Sequence, residues 1–411
     1  MTGLPGYGLF AAMLAAAGLP IYLHAPAFYA AEYGLGLTAL ATVLFGLRLL
    51  DVVQDPALGW LSARLAAHRG LAVGVAVLIL TSSMLGLFAI APPIAPLAWF
   101  AVMLTLLFSS YSFLTITFYA RGVSKAAAVG TNGHLRLAAW RETGALIGVS
   151  AAAVAPTVLV TSASPYAAFA FGFGALGLLA WAAMRAEWRA IGQSQSTGLA
   201  EFVVIVVDPV ARRLLIIGLA NAAPIAVSSS LFLFFVNDVL VAPAWAGALL
   251  LLFFVTAAFG APFWTKVAAR IGTRNALSIA MALSLAAFAP VPLLAIGDVL
   301  VFALICIVSG FAVGADVTLV PALFSRRMEI IAPSGAAGFG LWSFVTKFAL
   351  ALAAIMLLPA LDAAGFVAGG ASPPEALRLL SFLYAGLPCV LKLVALTLLW
   401  LGPLENTTQE A

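Results

Sequence analysis

The chain has 411 residues, of which 64% are hydrophobic and 8% charged, and its formal net charge is +4. Soluble chains average about 45–50% apolar and about 25% charged, so a soluble globular protein, a disordered chain, a collagen and a disulfide-stapled secreted module are excluded. One water-facing core cannot hide this much apolar surface, and a small net charge with no basic run excludes a nucleic-acid partner.

A helix needs about 20 residues to cross a bilayer. Twelve apolar spans are expected, near 5–31, 37–63, 71–91, 95–120, 135–161, 165–186, 211–237, 243–268, 274–295, 299–325, 335–361 and 377–401. All read as helices, because only helices and closed barrels satisfy the backbone in lipid, and the short alternating segments of barrel strands are missing. The first span has no basic residue before it, which predicts a membrane helix rather than a cleavable signal peptide. Cys306 and Cys389 lie in apolar stretches and read as small core residues.

The longest polar connector, about 187–210, centres on Gln193–Gly198 and divides the spans six and six. The expected domains are a six-helix bundle over 1–190, a cytoplasmic linker over 191–210 and a second bundle over 211–411. Loops after even-numbered spans hold fourteen Lys and Arg, from Arg64 to Arg327, whereas loops after odd-numbered spans hold only Arg378. The positive-inside rule then puts both termini and the linker in the cytoplasm of a multi-pass protein of the bacterial inner (plasma) membrane. The halves also echo each other. Gly59-Trp60-Leu61-Ser62-Ala63-Arg64 closes the second span, and Pro262-Phe263-Trp264-Thr265-Lys266 closes the eighth. An all-α integral membrane protein with twelve transmembrane helices in two six-helix pseudo-repeats has the architecture of the major facilitator fold, in which substrate binds near the midplane between the halves.

Eight charges fall inside the spans: Arg48, Asp51, Asp55, Arg141, Glu142, Asp316, Lys347 and Lys392. A charge at the bilayer centre costs at least about 2.5–3.5 kcal/mol, so each must face a cavity or a partner. In span 2, Arg48, Asp51, Asp55 and Gly59 share one helical stripe. Two carboxylates four residues apart suit one shared Na⁺ or proton. Gln54 and a helix break at Pro56 would add oxygens, and Arg48 would neutralise the pair without its cation; the competing reading is an Arg–Asp brace between helices. In span 5, adjacent Arg141 and Glu142 point about 100° apart, which predicts that each pairs with another helix. Asp316 reads as a gate or site acid, and Lys347 as a partner for an acid that competes with a cation. Lys392 reads as a structural ion pair or a snorkelling residue. Tyr22 and His24 in span 1, Thr115 and Tyr119 in span 4 and Trp342 in span 11 suit a ligand with apolar faces and polar edges, with His24 able to relay a proton or to pack between helices.

The segment Arg48-Leu49-Leu50-Asp51-Val52-Val53-Gln54-Asp55-Pro56-Ala57-Leu58-Gly59-Trp60 resembles the span-2 signature of the glycoside–pentoside–hexuronide:cation symporters, the melibiose-permease-like family. Weaker echoes are Trp140-Arg141-Glu142, Gly314-Ala315-Asp316 and Gly340-Leu341-Trp342 through Lys347. The resemblance implies that Asp51 and Asp55 hold Na⁺, Li⁺ or H⁺, and that Arg141 and Lys347 belong to the sugar and coupling region. Where that family has sugar-holding acids in spans 1 and 4, this chain has Ala15 and Thr115.

The expected function is cation-coupled symport of a small organic solute, such as a sugar or glycoside, by alternating access in a monomer. The coupling ion is Na⁺ or H⁺, and no other cofactor or metal is expected. Asp51, Asp55 and Gln54 form the cation site. Arg48, Arg141, Glu142, Asp316, Lys347, Thr115, Tyr119, Tyr22, His24 and Trp342 form the charge network and substrate cavity. The runner-up is a proton-driven exporter or an uncoupled facilitator of an amphipathic compound. A receptor or membrane-embedded enzyme ranks lower, because the sequence carries no P-loop, zinc helix or nucleophile elbow.

Overall fold

The computed structural model describes residues 3–189, 199–367 and 372–402; the linker centre Gln193–Gly198 lies outside them. Among the described residues the elements are helices: α1 Leu4–Ala16, α2 Leu19–Tyr33, α3 Leu37–Arg64, α4 Arg69–Phe88, α5 Pro96–Val129, α6 Gly133–Val158, α7 Pro165–Ala183, α8 Arg185–Arg189, α9 Leu199–Val207, α10 Pro209–Phe234, α11 Ala246–Ile271, α12 Thr273–Phe288, α13 Val299–Ile331, α14 Ala336–Ala363, α15 Pro374–Ser381 and α16 Leu387–Trp400. Five-residue π-helical stretches continue α10 and join α15 to α16. Among the described residues, eight helical stretches are long and apolar enough to cross a membrane, and α1 and the start of α14 are shorter apolar helices.

Several expected boundaries shift, each for a local reason. The single first span is two helices, interrupted at Ala17–Gly18. Pro20, in the first turn of α2, has no backbone N–H to give the carbonyl four residues back. Pro56 does not break α3, which runs through it; in a membrane helix, neighbouring groups can satisfy the carbonyl a proline releases. The fourth span continues to Val129, nine residues beyond its expected end. Ala126–Ala128 favour helix, and Arg121 and Lys125 both pair with Glu187 of α8. Gly130, at φ +87°, then ends it. The described second half of the polar connector is the helix α9. Asp208 caps α10 by accepting from the Ala211 amide at 2.7 Å, and Arg327 clasps the same carboxylate. Burial pushes the Asp208 carboxyl up, but these donors outweigh it and hold it below the usual carboxylate range.

The helices pack into two compact units: Met1–Ile205 with Met328–Phe344, and Val206–Arg327 with Val345–Ala411. In the first, Phe118 of α5 meets Tyr7 and Phe10 of α1 at ring separations of 5.2 and 5.1 Å. In the second, Phe235 stacks on Tyr384 at 4.4 Å. Lipid offers little hydrophobic drive between helices, so small residues set how closely backbones approach. A Cβ on Gly144 of α6 would lie 2.1 Å from the Gly8 carbonyl oxygen of α1, and one on Gly148 would lie 2.2 Å from that of Ala12. In the second unit, a Cβ on Gly310 of α13 would meet the Phe253 oxygen of α11 at 2.4 Å, and one on Gly314 would meet Ala257 oxygen at 2.8 Å. Gly310 and Gly314, four residues apart, share one face of α13 and so allow this approach to α11.

Gly144→Leu is expected to force α1 off α6, at a cost of about 1–3 kcal/mol or more. The thermal midpoint of the purified protein should fall by several degrees; an unchanged midpoint contradicts this packing.

Candidate functional site

The first unit carries both aspartates of the span-2 stripe. Asp51 and Asp55 lie one turn apart on α3, 4% and 0% exposed. Gln54 bridges: its Nε2 donates to Asp51 Oδ1 at 2.9 Å, and its Oε1 accepts from Ser109 Oγ of α5 at 3.0 Å. Sequence reasoning gives Gln54 a cation-facing oxygen. In the structure that oxygen faces Ser109, and the amide nitrogen supports the carboxylate. Ser343 Oγ of α14 donates to Asp55 Oδ2 at 2.5 Å.

That hydroxyl is brought to Asp55 by a close helix crossing. A Cβ on Gly59 would sit 2.9 Å from the Ala336 oxygen and 3.2 Å from the Gly340 Cα. The span-2 glycine thus lets α14 approach α3 one turn beyond Asp55. His134 and Glu329 (2.6 Å) and Ser334 and Glu201 (2.9 Å) hold the segment leading into α14. Burial pushes the Glu201 carboxyl up, partly offset by the Ser334 hydroxyl.

A second polar cluster lies between α5 and α6. Arg141 Nε donates to Glu142 Oε1 at 2.7 Å, and Tyr119 OH donates to the same oxygen at 2.9 Å. This corrects the expectation that the adjacent charges ignore each other. Their Cβ atoms diverge, but both side chains are long enough to bend onto the Tyr119 ring, over which Arg141 Cζ lies at 3.7 Å. Phe339 packs on that ring at 5.1 Å. Thr115, one turn before Tyr119 on α5, has a buried Oγ1 with no hydrogen-bond partner among the described residues.

In the second unit, Asp316 of α13, Lys392 of α16 and Asn221 of α10 form a buried triad. Lys392 Nζ donates to Asp316 Oδ2 at 2.5 Å and to Asn221 Oδ1 at 2.6 Å. Of its two readings, Lys392 takes the ion pair. Asp316 thus has a partner that sequence reasoning did not assign to it.

Of the remaining expected residues, His24 lies on α2. His24 Nε2 lies 3.1 Å from the Ala152 oxygen, with its ring edge-on to Tyr166 and Phe169. Trp342 and Lys347 are half-buried on α14, Trp342 in the first unit and Lys347 in the second. The side chains of Tyr22 and Arg48 lie outside the described residues. Sequence reasoning missed Ser109, Asn221 and the His134–Glu329 pair. Only Asn221 had a signal, a polar amide in the middle of an apolar span.

Residues 4–406 match the family model described as MFS/sugar transport protein. Among solved structures, the chain is similar to a bacterial homologue of the iron transporter ferroportin in its outward-facing state. The two share 14% identity over 96% of this chain and 98% of that one, with a TM-score of 0.68. A crystal of that homologue with soaked iron, also outward-facing, gives the same figures. At such identity the likeness speaks for the fold alone. No curated protein sequence matches the chain.

Proposed function

Because the chain belongs to the MFS/sugar transport protein family, and so to the major facilitator superfamily, we propose that it is a secondary active symporter driven by Na⁺ or H⁺. Its family and fold make it an all-helical, multi-pass membrane transporter rather than an enzyme. The proposed cargo is a small organic solute, carried by alternating access in a monomer. The membrane is the bacterial inner membrane, with both termini cytoplasmic.

The observation that carries the reading is the carboxylate pair on α3, Asp51 and Asp55, sealed from solvent and braced by Gln54 and Ser343. Two such groups in lipid are costly, and a hard cation that takes oxygen ligands, or a proton, offsets that cost. The coupling ion travels with the solute and is cargo. Reconstituted into proteoliposomes, the protein should accumulate solute from a panel of labelled sugars and organic acids only under an inward Na⁺ or pH gradient. Uptake unaffected by either gradient overturns the reading.

A further inference from the structure

We propose that the second unit carries a site for the phosphate of an anionic phospholipid, formed by Arg213 and Arg274 beside Trp400 at the end of α16. The site goes beyond the symporter reading and does not depend on the coupling ion.

The cluster is built around one helix end. Arg213 lies near the start of α10 and Arg274 at the start of α12, while α16 finishes at Trp400. Arg213 Nη2 donates to the Leu398 oxygen and Arg274 Nη2 to the Gly402 oxygen, both at 2.6 Å. The two arginines meet at Gly402, because a Cβ on that glycine would collide with Arg213 Nη1. Arg274 Cζ lies 5.4 Å from the centre of the Trp400 ring, and the indole N–H donates to Ser278 Oγ of α12 at 2.9 Å.

Helix capping explains only part of this arrangement. A helix C-terminus attracts cations, but it carries about half a negative charge, so two guanidiniums leave about one and a half positive charges unanswered. No carboxylate among the described residues pairs with either arginine. Asp208, at the cap of α10, is already clasped by Arg327. Arg213 Nε is also buried without a hydrogen-bond partner among the described residues. A phosphodiester brings one negative charge and acceptor oxygens that suit the arginine fork.

The surroundings select a lipid over a free ion. Trp400 is 53% exposed, and an indole at the end of a membrane helix sits at the level of the headgroups. Leu393, Val394 and Leu401 are exposed too, and their spacing puts them on one side of α16, where acyl chains would lie. Basic clusters between membrane helices recognise anionic headgroups in this way.

The test is a thermal-shift titration of the full-length protein purified in a neutral detergent. Phosphatidylglycerol should raise the melting temperature in a dose-dependent way, whereas phosphatidylcholine and inorganic phosphate at matched concentrations should not. Arg213→Gln and Arg274→Gln keep a side-chain N–H for the α16 carbonyls and remove the charge. Each should raise the half-saturating phosphatidylglycerol concentration about fivefold, and the double variant more. Lys266→Gln with Arg270→Gln, exposed bases at the end of α11, should leave that concentration unchanged. A second measurement needs no arginine variant. Brominated phosphatidylglycerol should quench tryptophan fluorescence more than brominated phosphatidylcholine does, and Trp400→Phe should remove the difference. No response to phosphatidylglycerol, an equal response to phosphatidylcholine, or an equal response to inorganic phosphate overturns the lipid site. So does a phosphatidylglycerol response that is unchanged in the folded arginine variants, or weakened as much by the Lys266 and Arg270 changes, since diffuse surface charge then explains it. If neither arginine variant folds, a quenching difference that persists in Trp400→Phe overturns it.

Discussion

Asp55→Asn abolishes gradient-driven accumulation: the ratio of internal to external solute falls to unity, while exchange of solute across the membrane continues. The substitution keeps the shape of the side chain and can still take the Ser343 hydroxyl as a partner, so the fold should survive. What it removes is one negative charge. At about 4 Å and an effective dielectric near 20, a unit charge pair is worth about 4 kcal/mol, or roughly a thousandfold in cation affinity. Uptake under an Na⁺ or pH gradient, set beside exchange in the same vesicles, reads both quantities. Unchanged accumulation in the variant removes Asp55 from the coupling site. Asp51 is tied to Gln54, so Asp51→Asn should also perturb Gln54 and Ser109 and give a less clean result.

Lys392→Met should be the most destabilising single change in the second unit. Met fills the space of the lysine stem, yet it leaves Asp316 buried without its ammonium partner and Asn221 Oδ1 without its donor. Breaking a buried pair from one side costs about 3–5 kcal/mol, which lowers the thermal midpoint on the order of 10 °C. The double substitution Asp316→Leu with Lys392→Met should recover much of that loss, because replacing both ions by apolar groups is often neutral. The contrast between single and double variants in the melting temperature is the readout. Equal destabilisation by both would mean that the pair contributes through packing alone.

The extent of the helices was largely legible in the chain. Apolar runs of membrane length leave the backbone few alternatives in lipid, and their ends follow from charge, Gly and Pro. The boundary errors mark where a local rule is overridden. Pro56 reads as a break but stays inside α3, and Arg121 and Lys125 read as loop residues but extend α5 because Glu187 is within reach. The stripe of Asp51 and Asp55 was legible for the same reason, since residues four apart on a helix share a face.

Partners across helices were not legible. Helical periodicity says which way a Cβ points, but not how a long side chain bends or which of several helices it meets. Arg141 and Glu142 pair with each other because the Tyr119 ring gives both a surface to lie on, and no spacing rule carries that information. By itself the sequence determined the solvent, the helical class and the acids that must be compensated, since these depend on composition and on period. Only the tertiary structure decided that Ser343 serves Asp55, that Lys392 serves Asp316 and that Arg213 and Arg274 meet at the end of α16, because each depends on contacts between residues tens to hundreds of positions apart.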